Sequence, residues 1–167
     1  MVRMATVGDI GSVAALAEQA AAAHTELDTA YVLRSNSDWA GYARERIIST
    51  ASRVLVAEDQ VGPTLVGFVD LRLVRPTAHV RGVLWRKIGK RRKSANDSDL
   101  IERVEAYGLI ANLYVVPERR RGGIATALLV ESLAWLGNTG VRDVEAAVLN
   151  VNVASVALFE KHGFAAS

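Results

Sequence analysis

The segment spanning residues 107–149 constrains the fold of this 167-residue chain more than any other part of its sequence. It opens with the mostly apolar run YGLIANLYVV, which predicts a strand over 107–116 that ends at Pro117. Apolar residues at helical spacing follow over 123–136, and a second strand is predicted at 143–149. A strand, a helix and a strand in this order form a β-α-β unit, in which a right-handed crossover joins parallel strands. We therefore expect an α/β fold.

The rest of the chain supplies further helices and strands around this unit. Strands are predicted at 2–5, 53–57 and 65–73, and helices at 10–23, from residue 37 onward, and at 152–161. A capping box, Thr6-Val-Gly-Asp9, marks the start of the first helix. Residues 76–100 show no period, so we interpret them as a long inserted basic loop. Residues 1–167 are expected to form one domain.

Composition excludes several classes of protein. No apolar run approaches the ~20 residues that cross a bilayer, and the N-terminus lacks the layout of a secretory signal. The chain has no cysteine, which excludes disulfides, a thiol nucleophile and thiolate metal sites. The three histidines lack metal-ligand spacing, so no metal site is predicted. We expect a cytoplasmic protein without a membrane partner.

The positive charge is concentrated in one segment. Residues 81–93, RGVLWRKIGKRRK, hold seven of the 20 Lys and Arg residues and no acid. The rest of the chain holds the other thirteen Lys and Arg residues and all 18 acids, so its net charge is −5. We interpret the run as a solvated loop; a lid over ligand phosphates and a surface for nucleic acid or anionic membrane are the alternatives.

The turn before the helix of the β-α-β unit, PERRRGGIATALL at 117–129, places three arginines and two glycines against a helix start. Glycines let a ligand approach the backbone closely, and free amides at a helix N-terminus bind anions. The pattern predicts a diphosphate cradle; ordinary solvated arginines are the alternative. No Lys-Ser/Thr pair follows the glycines and Gly-x-Gly-x-x-Gly is absent, which argues against a P-loop and a dinucleotide fingerprint.

Two motifs resemble the GCN5-related N-acetyltransferases (GNAT). The family signature Arg/Gln-x-x-Gly-x-Gly/Ala is matched by Arg120, Gly123 and Ala125. Its closing motif, Asn-x-x-Ala-x-x-Leu-Tyr-x-Lys-x-Gly-Phe, is matched by Asn152, Leu158, Lys161, Gly163 and Phe164. The resemblance covers nearly the whole chain except 76–100.

The resemblance implies a mixed, twisted central sheet of about six strands with helices on both faces. It implies acetyl-CoA as cosubstrate and direct transfer of the acetyl group to a primary amine of an unknown small molecule or peptide. The alternative is a non-catalytic CoA-binding or sensor module of the same fold. After Gly163-Phe164 the family normally continues with another strand, so an open sheet edge and a homodimer formed by strand addition are a further hypothesis.

The resemblance also implies cofactor-binding residues. Pantetheine would pair with backbone over 113–116, and the diphosphate would bind the turn. Asn152 commonly touches the cofactor in the family, and Ser155 would hydrogen-bond the ligand or simply pack. Phe159 stands where the family often has a tyrosine acid and cannot donate a proton. The expected set is Leu113, Val115, Val116, Arg120, Arg121, Gly122, Gly123, Ile124, Ala125, Thr126, Asn152, Ser155 and Phe159.

Catalytic candidates are fewer, because residues 108–116 contain no carboxylate for the base that amine transfer needs. Glu105 and Tyr107, at the start of that strand, are the nearest candidates. A solvated strand-end charge is the alternative for Glu105, and a water-mediated base anchored by Asn112 is a further alternative.

The acceptor site in this family is usually lined by the link between the first two helices. Glu26 and Asp28 are therefore expected to receive a cationic amine, and Trp39 or Tyr31 to form an apolar wall. We interpret His24 as a helix-end residue, not as a base.

Overall fold

The computed structural model describes residues 1–28, 37–75 and 106–165. Its helices and strands are, in chain order, β1 (Val2–Met4), α1 (Ile10–Leu27), α2 (Trp39–Ile48), β2 (Ser52–Glu58), β3 (Leu65–Val74), β4 (Tyr107–Val115), α3 (Ile124–Asn138), β5 (Val144–Ala146) and α4 (Val153–Lys161). Short 3-10 turns cover Val7–Asp9 and Pro117–Arg119. The predicted basic loop, Glu105 and Tyr31 lie outside the described residues.

The described residues form one five-stranded sheet in the order β1-β2-β3-β4-β5. The first three pairings are antiparallel, and β4 pairs with β5 in parallel. The mixed α/β class is confirmed, but the expectation of about six strands is wrong. The sixth strand was expected because the family normally continues with a strand after Gly163-Phe164. The described residues contain no strand after α4.

The β-α-β unit forms as its sequence predicts, with local signals at its boundaries. Pro117 follows the end of β4, and Gly123, with a left-handed φ of 80°, is the N-cap of α3. Strand β5 is shorter than the predicted 143–149, because its parallel pairing with β4 covers only Gly108 to Ile110.

Two clusters of buried side chains hold helices against both faces of the sheet. Successive residues of a strand point to opposite faces, so Val54 and Val56 of β2 pack with α1 and α2. Leu55 and Ala57 between them pack with α3 and α4. The predicted helices on both faces are confirmed. A space large enough for a ligand lies beside β4, between α1 on one face and α4 on the other.

Helix α1 forms because its apolar residues recur at helical spacing, and Val13, Leu16, Ala17 and Ala20 are buried against the sheet. Asp38 caps α2 by accepting a hydrogen bond from the Gly41 amide at 2.8 Å. Among the described residues, no helix combines the length and apolar character needed to cross a membrane.

Candidate active site

Strands β4 and β5 diverge after a short parallel pairing. In the β3–β4 register Ile110 pairs with Leu71 and Asn112 pairs with Asp70, which leaves Ala111 as the extra residue of a β-bulge. A bulge bends its strand and increases the local twist. β4 therefore continues to Val115 without β5 beside it, and one edge of its last residues is open.

A cleft of about 1350 Å³ occupies this opening between α1, the end of β4, the arginine-glycine turn and α4. It is large enough for an extended cosubstrate, since ordinary ligand pockets measure ~300–1,000 Å³. The predicted cofactor residues that line it are Leu113, Val115, Arg120, Arg121, Gly123, Ile124, Ala125, Thr126, Asn152 and Ser155.

The turn presents backbone donors to this cleft. The first hydrogen bond of α3 runs from the Ala127 amide to the Gly123 carbonyl at 2.9 Å. The amides of Ile124, Ala125 and Thr126 precede it and have no partner within the helix. A Cβ at Gly122 would meet only the Arg119 carbonyl oxygen, at 3.7 Å, so the backbone there is open to close approach.

The three arginines have different partners. Arg119 donates to Asp59 Oδ2 at 2.7 and 3.1 Å, and this hydrogen bond lowers the pKa of the Asp59 carboxyl. Arg120 donates from Nε to the Val115 carbonyl at 3.0 Å and lies 5.7 Å from the Tyr114 ring centroid. Arg121 is exposed, and within the described residues it takes part in no recorded ion pair. It is the arginine best placed to meet an anionic ligand.

Helix α4 contributes the opposite wall. Asn152 caps it by accepting a hydrogen bond from the Ser155 amide at 3.1 Å, and both residues line the cleft. Phe159 is instead buried in the core, with its ring centroid 5.0 Å from that of Phe164. Val116 and Gly122 are also absent from the cleft lining, and Val116 turns its amide toward the Val66 carbonyl of β3 at 2.9 Å.

The predicted acceptor and catalytic residues are scattered. Glu26 lines the cleft, whereas Asp28 lies at the end of α1, where its amide donates to the His24 carbonyl at 2.9 Å. Trp39 lines a separate, smaller cavity. Tyr107 is the first residue of β4, where it pairs with Val74, and Val115 is at the opposite end of this strand. Tyr107 lines neither cavity.

The smaller cavity measures about 200 Å³ and is lined by Ala17, Ala21, His24, Trp39, Tyr42 and Asn112. Beside it, the Tyr42 hydroxyl donates to Asp70 Oδ2 at 2.8 Å, and Asn112 Nδ2 donates to the Tyr42 oxygen at 3.0 Å. Arg72 donates to the same carboxylate oxygen at 2.9 Å. Burial and the adjacent Asp70 charge raise the pKa of Tyr42 well above its usual range.

Sequence reasoning missed this Asp70–Tyr42–Asn112 network. The available signal was an aspartate inside LVGFVDLRLV, a strand whose other residues are largely apolar. Asp70 is 0 % exposed, because helices cover both faces of the sheet. A fully buried carboxylate needs paired charge and hydrogen bonds, and here Tyr42 of α2 and Arg72 of β3 provide them at Oδ2. The other carboxylate oxygen, Oδ1, has no hydrogen-bond partner in the part of the chain that the structure describes. Within the described residues, no cluster of His, Asp or Glu side chains could hold a metal ion.

Comparison with known families gives one match over most of the chain. The family model described as the acetyltransferase (GNAT) family matches residues 13–164. Among curated protein sequences, no significant match was found.

Solved structures with the same fold have low sequence identity to this chain. A single-residue mutant of the BH1408 protein from Bacillus halodurans is 22% identical with a TM-score of 0.73, covering 99% of this chain and 93% of that one. A ribosomal-protein-alanine N-acetyltransferase from Brucella melitensis biovar Abortus 2308 is 19% identical with a TM-score of 0.64, with coverage of 99% and 93%. The aminoglycoside acetyltransferase AAC(6')-Iy, in complex with the bisubstrate analogue CoA-S-monomethyl-acetylneamine, is 14% identical with a TM-score of 0.68, with coverage of 99% and 90%.

Proposed function

The chain belongs to the acetyltransferase (GNAT) family, and on that premise we propose that it transfers the acetyl group of acetyl-CoA directly to a primary amine. The observation that carries the proposal is the cleft at the β4–β5 opening, which ends at the unpaired amides of α3. A cleft that combines apolar residues such as Leu113, Val115 and Leu158 with an anion-binding end matches a thioester on a long arm that carries a diphosphate.

The diphosphate end would be held by the turn. The amides of Ile124, Ala125 and Thr126 point out of the helix N-terminus, where the helix dipole favours negative charge. Arg121 adds an exposed positive charge, and Gly122 leaves the backbone uncovered. These groups fit a diphosphate, and none of them is needed for the turn's own ion pair between Arg119 and Asp59.

The pantetheine arm would lie along the open edge of β4. The Val115 carbonyl is directed to this edge, since Arg120 Nε reaches it at 3.0 Å. Alternate residues of a strand direct their peptide groups to the same side, so the Leu113 amide and carbonyl face the same edge. An amide-containing arm can pair with them as a strand would.

Direct transfer to an amine suits the residues present. The chain has no cysteine, so no thiol of the protein can carry the acetyl group. The neighbours' names specify a ribosomal-protein alanine and an aminoglycoside as acceptors, both of which are amines. A neutral amine attacks the thioester carbonyl, the new C–N bond replaces C–S, and CoA leaves as the thiol after protonation.

The first test is calorimetric titration of acetyl-CoA into the full chain, with NAD and ATP as comparison ligands. Arg121→Ala is expected to weaken acetyl-CoA binding about tenfold or more, since hydrogen bonds to charged groups contribute ~1.5–3 kcal/mol. Arg142→Ala is the matched control, because Arg142 is exposed and lies outside the cleft lining. Equal binding of NAD, or no binding of acetyl-CoA, would overturn the proposal.

The second test is turnover, measured as thiol released from acetyl-CoA in the presence of primary amines. Amine-dependent release separates an acetyltransferase from a module that only binds CoA. Binding without release for every class of primary amine tried would contradict the transfer step.

A further inference from the structure

Resting on the function proposed above, we propose that Arg120 makes the cleft select thioesters that carry a diphosphate over the same arm without one. In the structure, the guanidinium of Arg120 covers the open edge of β4 at which the arm would pair. The arm must displace this guanidinium, and only a ligand with a diphosphate offers it a charged acceptor in exchange. Arg120 is thus a specificity-determining residue for the acyl donor.

The carbonyl that Arg120 holds lies on the open edge of β4. The next amide, that of Val116, donates to the Val66 carbonyl of β3 at 2.9 Å. Because the carbonyl and the amide of one trans peptide point in opposite directions, the Val115 carbonyl points away from β3. Strand β5 pairs with β4 only over residues 108–110, so it does not reach this carbonyl. The carbonyl can therefore accept a hydrogen bond from a ligand once Arg120 leaves it.

Two contacts hold the Arg120 side chain across this edge. Its Nε donates to the Val115 carbonyl at 3.0 Å, and its Cζ lies 5.7 Å from the centroid of the Tyr114 ring. A guanidinium at that distance over an aromatic ring gains a cation–π attraction. All three residues line the cleft, so the side chain occupies space on the route of the arm.

The partners of Arg120 are neutral, which makes its contacts exchangeable. Among the described residues, no carboxylate lies within ion-pair distance of Arg120. Arg119, by contrast, already donates to the Asp59 carboxylate at 2.7 and 3.1 Å. Hydrogen bonds to an ionised partner are roughly twice as strong as those to a neutral one. The guanidinium of Arg120 therefore gains by moving from a carbonyl to an anion, whereas that of Arg119 does not.

The anion would lie within the same turn as Arg120. The amides expected to bind a diphosphate belong to residues 124–126, and these residues line the cleft together with Arg120. Rotation about the bonds of the long arginine side chain can thus carry the guanidinium from the edge of β4 toward the diphosphate. The backbone of the turn can stay in place.

The exchange leaves the polar groups of an acetyl-CoA complex with partners. An amide N–H of the arm replaces Arg120 Nε at the Val115 carbonyl, and the guanidinium moves to the diphosphate oxygens. With an arm that lacks the diphosphate, the carbonyl is again paired, but the guanidinium exchanges its two contacts for water. Displacement of Arg120 therefore weakens the binding of the shorter ligand, whereas acetyl-CoA recovers the loss through a charge-assisted hydrogen bond.

The test compares calorimetric Kd values of the full chain for acetyl-CoA and for S-acetylpantetheine, which has the same arm and thioester but no diphosphate. Arg120→Ala should bind S-acetylpantetheine about three times more tightly than the wild type, or better, because no side chain then has to leave the Val115 carbonyl. The preference for acetyl-CoA over S-acetylpantetheine should fall about tenfold or more, as expected for a lost hydrogen bond to a charged group.

Arg121→Ala is the matched comparison, because Arg121 is exposed and lies in the same turn. This variant should weaken acetyl-CoA binding and leave the Kd of S-acetylpantetheine unchanged, since Arg121 does not cover the Val115 carbonyl. A similar gain in S-acetylpantetheine affinity in both variants would overturn the inference, because positive charge in the turn, and not cover of β4, would then control binding of the arm.

Displacement of Arg120 also has a direct readout by NMR. A nuclear Overhauser contact between the Arg120 side chain and the Tyr114 ring should be present in the protein alone and disappear at saturating acetyl-CoA. Absence of this contact in the protein alone, or its persistence in the complex, overturns the inference. This measurement decides the question even if S-acetylpantetheine binds too weakly for titration.

The inference and the proposed function can fail separately. If Arg120→Ala binds S-acetylpantetheine no better than the wild type does, or keeps the wild-type preference for acetyl-CoA, the inference is wrong. Acetyl-CoA binding and amine-dependent thiol release by the wild type would then still support the proposed function. If the wild type does not bind acetyl-CoA, the proposed function is wrong, and the inference fails with it.

Discussion

The adjacent glycines of the turn differ in what they require of their position. Gly123 has φ 80°, a backbone conformation that L side chains rarely adopt, although a Cβ there would have no other atom within 4 Å. Gly122 has no such backbone demand, and a Cβ there would make an ordinary contact at 3.7 Å. Gly122 can thus be replaced without a cost to folding, whereas a side chain at Gly123 strains the backbone.

Alanine substitution should separate these two roles. Gly123→Ala is expected to lower the free energy of unfolding by ~1–2 kcal/mol, the usual cost of a left-handed residue with a Cβ. Gly122→Ala should change stability by less than about 0.5 kcal/mol. It should still weaken acetyl-CoA binding, because Gly122 lies between Arg121 and Gly123, which line the cleft, and its methyl group would cover the backbone that joins them. Urea unfolding and calorimetry measure the two effects; equal destabilisation by both variants would contradict this assignment.

Asp9 is held in its charged form by its neighbours near β1. Arg3 donates to both carboxylate oxygens, at 2.8 and 2.9 Å, and the Thr6 amide donates at 2.7 Å. The Arg3 hydrogen bond is the main reason that the pKa of Asp9 lies well below its usual 3.8. A lowered pKa in the folded state stabilises the protein above the unfolded-state value, and that contribution disappears as pH falls below 3.8.

Asp9→Asn should therefore reduce the free energy of unfolding at pH 7 by ~1–2 kcal/mol. The difference from wild type should shrink steadily as pH is lowered below about 4, because the carboxyl takes up a proton in the unfolded state while the folded state keeps it ionised. Urea unfolding across this range measures it, with the exposed Glu131→Gln as control. A difference that stays constant with pH would refute the assigned cause.

At the scale of elements, β4 is the strand that shapes the site. Its first residues pair with both β3 and β5, and after the bulge at Ala111 it pairs with β3 alone. The end of β4 is held closely on that side, since a Cβ at Gly67 of β3 would lie 2.8 Å from the Tyr114 carbonyl oxygen. The position of the cleft's floor thus depends on a close β3–β4 contact.

Gly67→Ala should disturb this contact. The added methyl meets backbone that cannot move aside without shifting β4, so we expect a loss of ~1–3 kcal/mol in stability and weaker acetyl-CoA binding. Gly62→Ala, in the turn before β3 with nothing within 4 Å, is the matched control. If unfolding curves and calorimetric Kd values are the same for the two variants, the prediction is wrong, because β4 then accommodates the added methyl group without loss of stability or binding.

For the whole molecule, the cleft is bounded by both layers of helices. Helix α1 packs in the cluster on one face of the sheet, and α3 and α4 pack in the cluster on the other. A ligand that contacts α1, β4, the turn and α4 together binds only the folded state. Ligand binding should therefore raise the free energy of unfolding of the protein.

Acetyl-CoA at about 100 times its Kd should add ~2.7 kcal/mol to the free energy of unfolding. For a chain of this size that corresponds to a rise in Tm of roughly 5–10 °C. Differential scanning fluorimetry with acetyl-CoA, NAD and ATP measures it, and Gly122→Ala should show a smaller rise at the same concentration. No rise with acetyl-CoA, or the same rise with NAD, would count against the cleft as its site.

The sequence by itself determined the features that depend on near neighbours along the chain. Apolar spacing, Pro117 and the glycines place β4, the turn and α3 within a residue or two of their observed bounds. The two motifs of 120–125 and 152–164 identified the family, which the match over residues 13–164 confirms. Each signal is local, because helix and strand periods and turn residues act over only a few positions.

Only the tertiary structure decided which distant residues share the site. Tyr42 and Asp70 are separated by 28 residues and Tyr42 and Asn112 by 70, and no local pattern predicts their hydrogen bonds. The same holds for the bulge at Ala111, which is defined by pairing with β3. Tyr107 and Trp39 lie away from the large cleft for this reason too. Which end of a strand meets which helix depends on packing between elements, and that packing is a property of the folded chain.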